Sequence, residues 1–395
     1  MTQALAEGPA KQAAVVPLPQ LLELDSYNPS TLPFIPRAQL EKSGQPTYPA
    51  LEDWIDIFRH SIGSFRRTAE ADSSLPEAQR LAAAERFASA YLATVNEVEQ
   101  EALAASSSGS DGSSSSGGRR LGCLELCQLR EEALRAAGFV DIFRQIKAKE
   151  NAGALGLLRD VCAELDQHTE QRDRWDAVLR GVFAGNIFDL GCAATTDMYH
   201  QEGISFHASR DKLLARPWVV DDLDALLDRL CSHKYQRAVL FVDNSGSDVI
   251  LGMLPLTREL LRTGATVIIA ANSAPSINDI TAAELDALLP QVCVADPVLC
   301  KGVSSCKLQV VPNGSGLPVI DLSKVSAELA EAAAGADLVV LEGMGRSIET
   351  NLHVKLSCDT VNLGMIKHPE VAASLGGRLY DCVCRFRSAP DSTPQ

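Results

Sequence analysis

Four short apolar runs in the C-terminal half of the chain end in residues that can do chemistry. The first is Phe241-Val242-Asp243-Asn244-Ser245-Gly246. The second is Ala270-Ala271-Asn272, whose following loop carries Ser276-Ile277-Asn278-Asp279-Ile280-Thr281. The third is Leu341-Glu342-Gly343-Met344-Gly345-Arg346, and the fourth is Met365-Ile366-Lys367-His368. Asp243, Asn244 and Asp279 offer only oxygen, the donor set of a hard octahedral ion such as Mg²⁺ or Mn²⁺. Arg346 and Lys367 bring positive charge suited to a phosphate, one as a planar fork and one as a point charge. Gly246, Gly343 and Gly345 would let backbone N–H groups approach anionic oxygens. A metal with cationic partners is equipment for phosphoryl transfer to water. Each part alone also has a plainer reading. Asp-Asn-Ser-Gly after a strand is a turn and helix cap, as is Asn278–Thr281. Arg346 alone reads as a structural ion pair. Asp248, one turn past Asn244, fits a supporting role under a metal ligand or a surface cap. The joint occurrence at four strand ends favours a site.

Those runs are strands that alternate with helices. Ala238–Val242, Thr266–Ala271, Leu308–Val311, Leu338–Leu341, Leu363–Ile366 and Leu379–Val383 are interleaved with helical patterns at Ile250–Arg262 and Ala282–Leu289. The pattern predicts an α/β domain of three layers with a mostly parallel sheet, over residues 185–386. Ligands of such sheets sit beyond the carboxyl ends of the strands, where all four polar clusters fall. Residues 48–184 read as a helical subdomain. Tyr48–Ala71 carries Leu51, Trp54, Ile55, Phe58, Ile62 and Phe65 at spacings of three and four. Leu81–Leu103, Leu124–Ala137, Val140–Glu150, Ala154–His168 and Gln171–Phe183 are further helical stretches. Ser106–Gly118 is nearly all Ser and Gly, a flexible insert. Residues 1–47, rich in proline, form a mostly irregular tail partly draped on the domain, and 387–395 a second tail.

The remaining composition excludes several classes. The 395 residues carry a formal net charge of −15, which argues against a nucleic-acid binder or a polybasic membrane anchor. No apolar run approaches the ~20 residues of a membrane span. The first residues resemble neither a secretory signal nor a transit peptide. The eleven cysteines form no Cys-x-x-Cys pair, so reduced thiols in a cytoplasmic protein are expected. The chain lacks a Gly-x-Gly-x-x-Gly turn, a P-loop and a Gly-x-Ser-x-Gly elbow. The second Asp of a haloacid-dehalogenase-type phosphatase is missing after Asp243. Among the seven histidines only His368 stands beside the candidate site. The sequence carries no signal for oligomeric state.

Gly185-Asn186-Ile187-Phe188-Asp189-Leu190-Gly191, Phe241–Asp248, Ala271–Thr281, Glu342–Asn351 and Met365–Ala372 together resemble the metal-dependent damage-control phosphatase family. The likeness is greatest to its plant and animal subgroup marked by Glu-Gly-Met-Gly-Arg, which includes stand-alone plant enzymes and the phosphatase domain fused to a pantothenate-kinase-like domain. The likeness covers roughly Cys123 to Phe386, and more loosely the helices from Tyr48. It implies a helical part packed on an α/β/α domain, and a divalent metal, Mn²⁺, Co²⁺, Ni²⁺ or Mg²⁺, on Asp243, Asn244 and Asp279. It implies that Lys367 binds phosphate, with Arg346, Glu342, Gly343, Gly345 and Asn272 in the pocket. Asn186 and Asp189 match the upstream motif as further pocket residues. The implied activity is hydrolysis of small phosphorylated metabolites, for this subgroup 4′-phosphopantetheine and its oxidised or damaged forms in coenzyme A metabolism. With no kinase-like region upstream, the stand-alone form is expected. The alternatives are a sugar-phosphate phosphatase of the same family and a non-catalytic binding module. A methyltransferase is disfavoured by the missing glycine fingerprint.

Overall fold

The computed structural model describes residues 14–32, 34–44, 49–107, 122–187, 206, 210 and 213–390. The N-terminal segment is a strap. Its strand β1 (Val15–Val16) pairs antiparallel with Val325–Ser326, and Leu21 bridges to Leu356. Leu18 is buried among residues of the sheet's second face, and its N–H donates to the Leu322 carbonyl at 2.8 Å. Leu18→Ala is therefore expected to lower the unfolding free energy by about 2–4 kcal/mol. Urea unfolding measures this, and an unchanged midpoint would mean that the strap contributes nothing to the core.

A short helix, α1 (Arg37–Ser43), leads to α2 (Leu51–Ala71), where all six residues of the apolar stripe are buried. Helices α3 (Glu77–Ser107), α4 (Cys123–Ala137), α5 (Arg144–Leu165) and α6 (Gln171–Asn186) follow. The two helices expected at Val140–Glu150 and Ala154–His168 are the single helix α5. Gly153 weakens a helix by about 1 kcal/mol but does not end it when the flanking turns are packed. Here Asn151, Ala154, Leu158 and Val161 are all buried on that helix.

The second half runs β2 (Val220–Asp221), α7 (Leu223–Ser232), β3 (Arg237–Phe241), α8 (Leu254–Thr263), β4 (Thr266–Ala271), α9 (Ala282–Ala295), α10 (Pro297–Ser304), β5 (Leu308–Pro312), β6 (Val325–Ser326), α11 (Ala327–Ala333), β7 (Leu338–Glu342), β8 (Asp359–Met365), α12 (Pro369–Leu375) and β9 (Cys382–Arg387). The sheet order is β2-β9-β8-β7-β3-β4-β5, and β8, β7, β3, β4 and β5 run parallel. β9 pairs antiparallel with β8, beginning three residues after the run at Leu379, and β2 runs parallel to β9.

Alternation gives the sheet two buried faces. Ala238 and Leu240 join a core with α5, α6, α7 and α8, while Val239 and Phe241 join one with Leu18 and α11. A third core unites α2, α3 and α4 with Met344, Ile348 and Ile366, which lie just past strand ends. The N-terminal helices thus cover the carboxyl edge of the sheet. The chain winds from β3 through β4 and β5 to one side and through β7 and β8 to the other. This puts the topological switch, where such sheets bind ligands, between β3 and β7. No helix among the described residues is long and apolar enough to cross a membrane. The ten cysteines among them are free thiols.

Candidate metal centre and phosphate pocket

Two loops meet at the switch point. The loop after β3 is stitched to the loop after β4 by backbone bonds, Ile280 N–H to Asp243 O at 3.0 Å and Ser245 N–H to Asn278 O at 2.9 Å. A single β-bridge pairs Asn244 with Asp279. The second loop is anchored by a capping box at α9. Glu284 N–H donates to Thr281 Oγ1 at 3.2 Å, and Thr281 N–H donates to Glu284 Oε2 at 2.9 Å. The cap is thus Thr281, and the Asn278 and Asp279 side chains turn inward, fully buried. A π-helical turn follows each of β3 and β7, at Asp248–Met253 and Met344–Glu349. Such widened turns concentrate at functional sites.

Four buried carboxylates converge there. Oxygens of Asp243, Asp248 and Glu342 all lie within 4.8 Å of one another. Asp279 joins through Arg346, whose guanidinium binds both Asp243 and Asp279. Asn244 Nδ2 donates to Asp243 Oδ2 at 3.0 Å and to Asp248 Oδ2 at 2.8 Å. With its nitrogen so directed, its oxygen is the atom available to a cation. Asn186 Nδ2 bridges Asp248 Oδ2 at 3.0 Å and Glu342 Oε1 at 2.8 Å. Glu342 Oε2 accepts the Asp243 N–H at 2.9 Å.

Charge shows what this cluster lacks. Four carboxyl groups face two cations, Arg346 and Lys367, so with all four ionised the cluster would carry two surplus negative charges, which one divalent ion would balance. Burial pushes the Asp243 carboxyl well above its ordinary range. Arg346 counters that shift, and neighbouring Asp279 and Asp248 reinforce it. Glu342 is raised well above its range by burial and then by Asp248 and Asp243. Asp248 is raised by burial, against Lys367 and the hydrogen bonds from Asn244 and Asn186. Burial opposes charge on Arg346, but Asp279 and Asp243 outweigh it and hold the guanidinium more firmly protonated than usual. Asp248 Oδ1 is buried with no hydrogen-bond partner. An orphaned oxygen in an over-acidic, all-oxygen cluster fits a hard divalent cation.

The predicted residues separate into two layers. Asp243, Asn244, Gly345 and Lys367 line the cavity above the cluster. Glu342, Asn272 and Asn186 lie beneath it, hydrogen-bonded to Asp243, Asp279 and Asp248 respectively. Asn272 Nδ2 donates to Asp279 Oδ2 at 3.0 Å, and its oxygen accepts from Arg346 Nη2 at 2.9 Å. Arg346 corrects an expectation. It is fully buried and grips Asp243, Asp279 and Asn272, so it organises carboxylates and does not clamp phosphate. The glycines correct another. The Gly343 N–H bonds the Leu363 carbonyl at 2.9 Å, and the Gly246 N–H bonds Asn151 Oδ1 at 2.7 Å, so neither is open to an anion. Asp248 is fully buried and is no surface cap. Asp189 lies outside the described residues.

A cavity of about 570 Å³ extends from Asp243, Asn244 and Lys367 to the N-terminal helices. Its far wall mixes Trp54, Ile57, Phe58 and Phe65 of α2 with Asp53, Asp56, His60, Ser61 and Ser64 of the same helix, and adds Cys123, Cys127 and Arg130 of α4. The Arg130 guanidinium lies over the Phe65 ring at 4.6 Å and bonds Glu131 Oε1 at 3.1 Å. Contact with Cys127, then burial, raises the Cys123 thiol well above its ordinary pKa, which disfavours the thiolate. The sequence reading missed this wall. The Trp54-to-Phe65 stripe signalled burial but not a cavity, and His60 joins His368 there.

The model of the damage-control phosphatase ARMT1-like domain matches residues 50–383. Damage-control phosphatase At2g17340 of Arabidopsis thaliana is 44% identical over 94% of this chain and 97% of its own length. The 4′-phosphopantetheine phosphatase of Mus musculus is 29% identical over 94% of this chain, which spans 48% of that protein. A crystal structure of a DUF89 family protein from Pyrococcus horikoshii shares the fold, with a TM-score of 0.54 at 18% identity over 83% of this chain and 96% of that one. The match over most of its length, on a sheet that gathers acidic and cationic groups at the switch point, means that the chain belongs to the ARMT1-like damage-control phosphatase family and is a phosphatase.

Proposed function

We propose that this phosphatase hydrolyses phosphate monoesters with an extended organic tail, of the kind found in 4′-phosphopantetheine and its damaged forms. The observation that carries this reading is the cavity. It runs from the acidic cluster and Lys367 to a wall of α2 and α4 where aromatic and aliphatic side chains alternate with polar ones, and its volume is typical of small-molecule sites. A phosphate alone would leave the α2–α4 end empty. The mouse relative named for 4′-phosphopantetheine supports the same class.

Asp243, Asn244 and Asp279 would hold a divalent ion, Mn²⁺, Co²⁺, Ni²⁺ or Mg²⁺, with Asp248 and Glu342 close enough to share its charge. Such an ion supplies Lewis-acid polarisation of a phosphoryl oxygen and a water of lowered pKa. Lys367 lines the cavity beside them and neutralises the charge of the phosphoryl oxygens as the ester bond breaks. Arg346 keeps Asp243 and Asp279 aimed, and the α2–α4 wall excludes water and seats the tail.

Phosphate release after chelator treatment and metal add-back tests the reading. Turnover of 4′-phosphopantetheine is expected to exceed that of a hexose phosphate in kcat/KM. Lys367→Met should lower kcat by roughly 100-fold, the scale for one charge-stabilising group. Equal kcat/KM for both substrates would remove the tail-selective reading. Failure to release phosphate from any ester with any metal would remove the metal-dependent one.

A further inference from the structure

One face of α5 reaches both loops of the metal centre. Asn151 is buried, and its Oδ1 accepts the Gly246 N–H at 2.7 Å. Lys147 stands one helical turn earlier on the same face and is also buried. Its ammonium pairs with Asp141 at 2.9 Å and Glu284 at 2.8 Å, and lies 3.5 Å from the Asp279 carbonyl oxygen. Glu284 is the same carboxylate that closes the cap at Thr281. Between them, Gly246 has φ +76, and a Cβ there would come within 2.8 Å of Glu150 Cβ. The helix is therefore pressed onto the β3 loop where only glycine fits.

We propose that Asn151 and Lys147 are positioning residues of the metal centre. Asn151 fixes the loop bearing Asp243 and Asn244, and Lys147 fixes the loop bearing Asp279. A rigid helix thereby sets the separation of the ligating oxygens before an ion arrives. This rests on the metal-centre reading above. The physical ground is preorganisation, since groups that orient ligands without touching the ion typically govern about 10–100-fold in affinity. A purely structural brace would affect unfolding and leave the ion's affinity alone.

The test is Co²⁺ binding by the chelator-stripped full chain, followed by calorimetry and by the visible absorption of bound cobalt. Asn151→Leu removes the acceptor at similar volume, and Asn151→Asp keeps an oxygen for the Gly246 N–H. Asn151→Leu and Lys147→Met are expected to weaken Co²⁺ binding about 10–100-fold and to change the cobalt absorption band. Asn151→Asp should bind like the wild type. A folded Asn151→Leu protein, checked by near-ultraviolet circular dichroism, with wild-type affinity and spectrum overturns the proposal. Should Lys147→Met fail to fold, the Asn151 pair decides. A folded wild type that binds no Co²⁺ overturns the metal-centre reading itself, an outcome distinct from equal binding by wild type and variant.

Discussion

Asp243→Asn is expected to lower metal-dependent turnover by roughly 1000-fold, a loss of about 4 kcal/mol of transition-state stabilisation, while the metal-free protein stays folded. Asp243 is the one carboxylate that both lines the cavity and belongs to the close acidic triad. Its replacement removes one negative charge and one carboxylate oxygen from the cluster without changing side-chain shape. Arg346 retains Asp279 and Asn272 as partners, so no cation is stranded. The stability effect has a definite sign. Asp243, Asp248 and Glu342 have folded pKa values above their ordinary ones, so the folded protein binds more protons than the unfolded chain. Metal-free stability should therefore fall as pH rises from the ordinary carboxylate range through the raised values. Asp243→Asn removes one such group, and its stability should fall less steeply with pH. Added metal reverses the ranking. It stabilises the wild type by about 2.7 kcal/mol at a hundredfold excess over its Kd, and the variant by far less. Thermal unfolding with and without metal at two pH values reads all of this. Metal-dependent turnover surviving in Asp243→Asn would sink the assignment.

The strand-end clusters were legible because β-strand, turn and helix cap are local patterns, and the sheet rule then says where their ends meet. Asp243, Asn244, Asp279, Glu342, Asn272 and Lys367 were picked out this way, and the structure places them around one switch point. Their division into layers was not legible. Arg346 turns under the carboxylates because the following π-helical turn buries it near the Leu317 and Pro318 carbonyls, a tertiary contact no spacing encodes. Asp248 had two readings of equal local merit, and only the packing of α6, through Asn186, decides between them. The α2–α4 wall joins segments far apart in the chain, and apolar periodicity cannot tell a core face from a cavity face. Strands β1, β2 and β6 are two residues long, too short to show any period.

The glycines of Glu-Gly-Met-Gly-Arg are where sequence and structure explain each other best, and Gly343→Ala is the second large effect expected. Gly343 has φ +93, a conformation that L-residues rarely adopt, and a Cβ there would overlap the Asp243 carboxylate. Two costs follow. The backbone strain is about 1–3 kcal/mol, and the methyl must push the carboxylate from its place. A displacement near 1 Å from productive geometry can cost about 100-fold in rate. Gly376→Ala separates the two. Gly376 also has positive φ, at +70, but nothing stands within 4 Å of a Cβ there. That variant should lose stability through strain alone and keep wild-type turnover and metal affinity. Gly343→Ala should lose more stability, and with it turnover by roughly 100-fold and much of its metal affinity. Gly345→Ala supplies the complementary case. Its Cβ would overlap the Pro318 carbonyl oxygen, not a ligand, so it should disturb the loop over Arg346 more than the ion. Glycine at 343 is thus required because the strand end passes too close to the Asp243 carboxylate for any side chain. Were Gly343→Ala to behave like Gly376→Ala in turnover and metal binding, Asp243 could not stand where this geometry puts it.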